Sequence, residues 1–155
     1  MADIPEINDD FRDMLEALSA CGVDFIIVGA HALAAHGVPR ATGDIDILVR
    51  PTPENARRVM NALARFGAPV QAHGVTQDDF TVADNVYQIG LPPRRIDLLT
   101  SITGVPFEEA WRSRLQTDIG GISVAMLGRD CLIANKRATG REKDLLDVRE
   151  LTPAR

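Results

Sequence analysis

Asp44-Ile45-Asp46-Ile47 puts two carboxylates two residues apart. Successive side chains on a strand point to opposite faces, so both acids share one face and both isoleucines the other. At ~3.3 Å rise per residue the two α-carbons stand roughly 7 Å apart, close enough for both carboxylates to reach one ion or for one of them to bridge two. Asp97, in Arg95-Ile96-Asp97-Leu98-Leu99, is a third acid on an otherwise apolar strand. A neighbouring strand would bring it within ~4.8 Å. Carboxylates so close repel one another and raise each other's pKa, and a bound cation relieves the repulsion. Oxygen-only donors select Mg²⁺ or Mn²⁺ over zinc. The plainer alternative leaves Asp44 capping or edging the strand, with Asp46 and Asp97 in water.

Upstream stands Gly29-Ala30, separated from Asp44 by 13 residues. An apolar run before it and an alanine-rich segment after it make a strand-to-helix turn. Glycine there lets a phosphate approach the backbone, and the first amides of a helix point at what sits in front. His31 follows directly and is a candidate for the same ligand; its plainer role is a polar helix residue. Arg40 can meet a phosphate or balance the acids nearby. Lys136 can reach a triphosphate or face solvent. Arg141 and Lys143 are further candidates. Asp144 and Asp147 are one helical turn apart and could pair with these bases, at only a few tenths of a kcal/mol. His36 and His73 are expected to be ordinary polar residues, and Trp111 and Tyr87 core aromatics. Arg94, Arg95, Arg112 and Arg114 read as scattered surface arginines, or as a patch for an RNA acceptor.

The elements that must position these groups follow from periodicity and punctuation. Asp10 can cap a helix running to Ala20, with Phe11, Met14, Leu15 and Leu18 at helical spacing. Val23 to Val28 reads as a buried strand, Ala30 to His36 as a short helix, and Asp44 to Val49 as a second strand. Thr52-Pro53-Glu54 starts a helix that Gly67 ends. Residues 68 to 91 carry little pattern; Val86 to Ile89 suggests a strand there, and Val70 or Thr81-Val82 could belong to others. Arg94 to Leu99 is the strand of Asp97. A helix follows over Pro106 to Arg114. Gly120-Gly121 makes Ile119 to Val124 a hairpin turn or a weakened strand. Two helices close the chain, about 129–151, divided by Gly140. These elements predict an α+β fold: a mixed sheet with helices packed against it, as one domain over 1–155.

The chain of 155 residues is 45% hydrophobic and 25% charged, as in ordinary globular proteins. Its net charge of -5 argues against general attraction to nucleic acid or an anionic membrane. Cys21 and Cys131 lie far apart and read as reduced, mostly buried thiols. No basic, then apolar, leader is visible at Met1 to Glu6, and the longest apolar stretch, around Phe25 to Val38, is too short for a bilayer span. A cytoplasmic protein is expected.

The pattern Val28-Gly29-Ala30, then Asp44-Ile45-Asp46, then Asp97 resembles the signature of the DNA polymerase β-like nucleotidyltransferase superfamily. Lys136-Arg137, Arg141-Glu142-Lys143-Asp144 and Asp147 resemble the C-terminal helices of small bacterial members, the minimal and abortive-infection-type enzymes. The resemblance implies a nucleotidyltransferase-like mixed sheet and metal-dependent transfer of a nucleotide from a nucleoside triphosphate to a hydroxyl of RNA or tRNA, or of a protein. It implies Asp44, Asp46 and Asp97 as metal ligands and Asp97 as a base. Gly29 and Ala30 would form the phosphate-facing turn. Ala30 stands where the family carries Ser or Gly, so a hydroxyl contact is missing while the backbone amide remains. A second reading is a non-catalytic nucleotide- or partner-binding member, such as a toxin–antitoxin component with an antitoxin-like partner or as a homodimer. A third is a small-molecule nucleotidyltransferase of aminoglycoside type, whose acceptor pocket a dimer would have to complete.

Overall fold

The computed structural model describes residues 8–40 and 43–152. Helix α1 spans Asp9–Ala20, and its N-cap is Asn8, whose Oδ1 accepts the Phe11 amide at 2.9 Å. The expected cap, Asp10, instead lies in the first turn beside Asp9, where a carboxylate meets the positive end of the helix dipole. Strand β1 covers Phe25–Val28 with all four side chains buried, and α2 covers Gly29–Ala35. Strand β2 is Ile45–Val49. Helix α3, Pro53–Phe66, starts as read: Thr52 accepts the Asn55 amide, proline occupies the first turn, and Gly67 takes the left-handed conformation after the last residue.

Strands β3 (Val86–Ile89) and β4 (Ile96–Leu99) come next, then α4 (Phe107–Arg112), the hairpin β5 (Leu115–Ile119) and β6 (Ile122–Met126), and helices α5 (Arg129–Thr139) and α6 (Glu142–Leu151). Between α3 and β3 the chain makes one 3-10 turn at Gln77–Phe80, so neither Val70 nor Thr81-Val82 forms a strand. Tyr87 is buried, as expected of a core aromatic, whereas Trp111 is half-buried and stacks on Phe107.

The six strands form one mixed sheet in the order β3-β4-β2-β1-β6-β5. β1 is antiparallel to β2 and parallel to β6; β2 is parallel to β4. The alternation in β2 and β4 sorts the acids from the aliphatics. Ile45 and Ile47 are fully buried, each worth about 1.5–3 kcal/mol of burial, and hold the strand that carries Asp46. Helix α1 packs on α3, α5 on α6, and α2 on β1 and β2. Asn55 locks the start of α3 to the strands, accepting the Asp24 amide and donating to the carbonyls of Asp24 and Arg50. No helix among the described residues is long and apolar enough to cross a membrane.

Candidate active site

The parallel pairing of β2 with β4 places Asp46 directly opposite Asp97. The antiparallel pairing of β1 with β2 places Val28, the residue before Gly29, opposite Asp46. Three separated stretches of sequence therefore meet at one point of the sheet. Gly29 has φ +70°, and its bare α-carbon lies against the Asp46 carboxylate. A side chain there would occupy the carboxylate's place, so this glycine answers to both backbone conformation and space.

Asp46 lines a cavity of about 510 Å³ between the start of α2 and the helices α5 and α6. Gly29, Ala30 and Arg40 line it too, and Lys136, Arg141 and Lys143 supply a cationic wall from the helical side. Asp97 lies deeper, 6% exposed, and is hydrogen-bonded to Asp46. Burial raises the Asp46 carboxyl most, the neighbouring Asp97 and Asp44 raise it further, and the Arg95 guanidinium offsets part of this, leaving it at about 6. Two acids this close disfavour each other's charge, which is why Asp46 is raised.

Asp44 precedes β2 and accepts the backbone amide of Arg95 at 2.9 Å. The Arg95 side chain turns to the same acids. Its Nε donates to Asp97 Oδ1 at 2.7 Å and its Nη2 to Asp97 Oδ2 at 3.1 Å, while Nη2 stands 3.5 Å from Asp44 Oδ2. Among the described residues no group of three or more His, Cys, Asp or Glu side chains is gathered around a single point as a ready metal site. The donor set still suits a hard divalent ion: Asp46 and Asp97 are in register and oxygen-only, and Asp46 carries the raised pKa that a cation would relieve. Asp44 would join them after yielding its contacts to Arg95.

Other expected residues are placed differently. His31 is 2% exposed, its ring packs edge-on against Phe11, and its buried Nδ1 has no hydrogen-bond partner. Desolvation lowers its pKa. It does not line the cavity, because the helix turns it to α1 and away from the sheet's acids. Arg40 pairs with Asp147 and lies 3.8 Å from Glu150. Lys136 lies 3.3 Å from both Asp144 and Asp147.

Asp144 and Asp147 correct the expectation of weak pairs. Asp144 is completely buried and Asp147 nearly so. Burial pushes the Asp144 carboxyl up, but hydrogen bonds from Arg141, Thr139 and Lys136, with the Lys136 charge, overcome it and hold the group down at about 2. These two acids fix the cationic wall in place. Arg95 is the other residue that sequence reasoning missed. The signal was present: Arg95 stands two residues before Asp97 in the extended run that the sequence suggests over Arg94 to Leu99.

The chain matches, over residues 3–152, a family model described as "Nucleotidyltransferase of unknown function (DUF6036)". No curated protein matches. Among solved structures it is similar to a provisionally assigned nucleotidyltransferase from Thermotoga maritima, with a TM-score of 0.54 and 13% sequence identity, covering 90% of this chain and 88% of that one. At that identity the likeness concerns the fold, and it agrees with the mixed sheet described above. The family match spans nearly the whole chain, and this protein therefore belongs to the DUF6036 nucleotidyltransferases.

Proposed function

We propose that this protein transfers a nucleoside monophosphate from a nucleoside triphosphate to a hydroxyl acceptor, RNA or protein, with Mg²⁺ or Mn²⁺. The observation that carries the reading is the register of Asp46 with Asp97 beside Gly29, across a cavity from Arg40 and Lys136. A cavity of about 510 Å³ suits a small-molecule ligand of this size class. The triphosphate lies with its charge toward Arg40, Lys136, Arg141 and Lys143 and its phosphates against the bare backbone of Gly29 and Ala30. The acceptor oxygen attacks the α-phosphorus in line, the bond to the bridging oxygen breaks, and pyrophosphate leaves. Asp46 and Asp97, with Asp44, would hold a divalent ion, which would supply neutralising charge and acidify the acceptor hydroxyl. Asp97 takes the hydroxyl proton or holds the ion. Lys136, braced by two buried acids, keeps its ammonium on the wall without losing freedom on binding.

The second reading, a nucleotide-binding member without transfer, draws on two features: Ala30 lacks a hydroxyl, and Arg95 holds two of the three acids. One experiment separates the readings. The protein is incubated with each α-labelled triphosphate, Mg²⁺, total RNA and cell extract, with Asp44→Ala and Asp46→Asn as controls. Label on a macromolecule that both substitutions abolish is expected. Mg·nucleotide binding without transfer supports the second reading, and no nucleotide binding removes both.

A further inference from the structure

The Arg95 guanidinium forms a two-point fork on Asp97, at 2.7 and 3.1 Å, and stands 3.5 Å from Asp44. Its own backbone amide holds the other oxygen of Asp44. The fork engages both oxygens of Asp97, the oxygens that a divalent ion would need. The side chain is 25% exposed, so it has an open path to solvent, whereas Asp97 is held within the sheet. Arg95 directly precedes β4, two residues before Asp97, and its side chain turns back onto that carboxylate.

Resting on the metal-binding part of the reading above, we propose that Arg95 is the built-in counter-ion of the carboxylate trio and that a divalent cation binds only as its guanidinium leaves Asp97 and Asp44. Metal binding and Arg95 release are then one exchange. The nucleotide-free protein holds metal weakly, because every ion bound must break the fork. A metal-loaded site also leaves the Arg95 guanidinium free of Asp97 and Asp44.

The test is Mn²⁺ affinity without nucleotide, read by electron paramagnetic resonance of free Mn²⁺, for wild type, Arg95→Gln and Arg94→Gln. Arg94 is an exposed neighbour of the same charge. Arg95→Gln is expected to tighten Mn²⁺ binding at least tenfold, and Arg94→Gln less than threefold. Unchanged or weaker binding in Arg95→Gln overturns the proposal and makes Arg95 a brace that the metal ligands need. Equal tightening in both variants also overturns it, since charge alone then explains the effect. A second readout uses wild type alone, so a poorly folding variant does not decide the matter. The Nε–H proton resonance of Arg95 should be slow to exchange without metal and lose that protection on Mg²⁺ addition; a protected signal at saturating Mg²⁺ refutes the exchange. If label transfer depends on Asp44 while Arg95→Gln binds Mn²⁺ no tighter, only this inference falls. If no variant binds Mn²⁺, the metal reading falls with it.

Discussion

A β-carbon built on Gly29 would overlap Oδ2 of Asp46 and lie 3.1 Å from that residue's Cβ and Cγ. The turn and the acid occupy complementary space. Gly29→Ala must therefore push Asp46 off its place and also force alanine into φ +70°. The expected cost is about 1–3 kcal/mol of stability, from strain and overpacking. Metal binding and label transfer should fall together, at a loss of a hundredfold or more. Urea unfolding and the Mn²⁺ titration measure the two effects. Wild-type metal affinity in Gly29→Ala would show that Asp46 does not need this seat.

Asp46 should make the protein less stable as pH rises. Its carboxyl is raised to about 6 in the fold from an ordinary value of 3.8. Between these values the native state binds more protons than the unfolded chain, so stability falls from pH 4 to pH 6 and stays lowered above. Asp46→Asn removes that penalty and keeps a hydrogen-bonding side chain beside Asp97. It should be more stable than wild type by about 1–3 kcal/mol at pH 7.5 and nearly equal to it at pH 4. Denaturant midpoints at the two pH values decide this, and a gain of equal size at both would contradict it.

The buried acid of α6 works with the opposite sign. Asp144 is held down at about 2, so its contribution is complete above pH 4 and drains away as pH falls toward 2. Asp144→Asn leaves the half-buried Lys136 one charged partner short beside a fully buried side chain. A loss of about 2–4 kcal/mol at pH 7 is expected. Thermal melts read it, and a difference below half a kcal/mol would mean that Asp147 alone can satisfy Lys136.

His31 offers a stabilising change. Its Nδ1 is buried without a partner, and desolvation lowers its pKa. A lowered histidine pKa means that stability is present above the unfolded value of 6.5 and is lost as pH falls below it. His31→Leu, similar in volume and a good helix former, should be neutral to about 2 kcal/mol stabilising at pH 7. It should also flatten the decline in stability between pH 6.5 and pH 5. Nucleotide binding should not change, and a drop of tenfold or more would put His31 back among the phosphate contacts.

The site was legible where side-chain period and polarity agree. Asp44 and Asp46 stand out because acids alternate with isoleucines, and Asp97 because leucines surround it. Gly29 announced itself by falling between an apolar run and an alanine-rich one. Arg95 did not, since an arginine pair at a strand start looks like solvent-facing charge until the partner strand is placed. In α6 the polarity is inverted. Asp144, Asp147, Val148 and Leu151 form the buried stripe, while Leu145 and Leu146 are exposed. Helical spacing finds that stripe only if acids are allowed inside it, and their cationic partners lie on α5 and before β2. Strand β5 was missed for a different reason. It is an edge strand, and Leu115-Gln116-Thr117-Asp118-Ile119 is mostly exposed and carries no clean alternation.

Arg40 stands four residues ahead of Asp44, yet its ion pair is with Asp147 on the helix that follows every strand of the sheet. Asp147 also holds Lys136. During synthesis the acids of β2 and β4 thus emerge from the ribosome well before the wall that faces them. The cavity takes its cationic side only when α6 docks against α5.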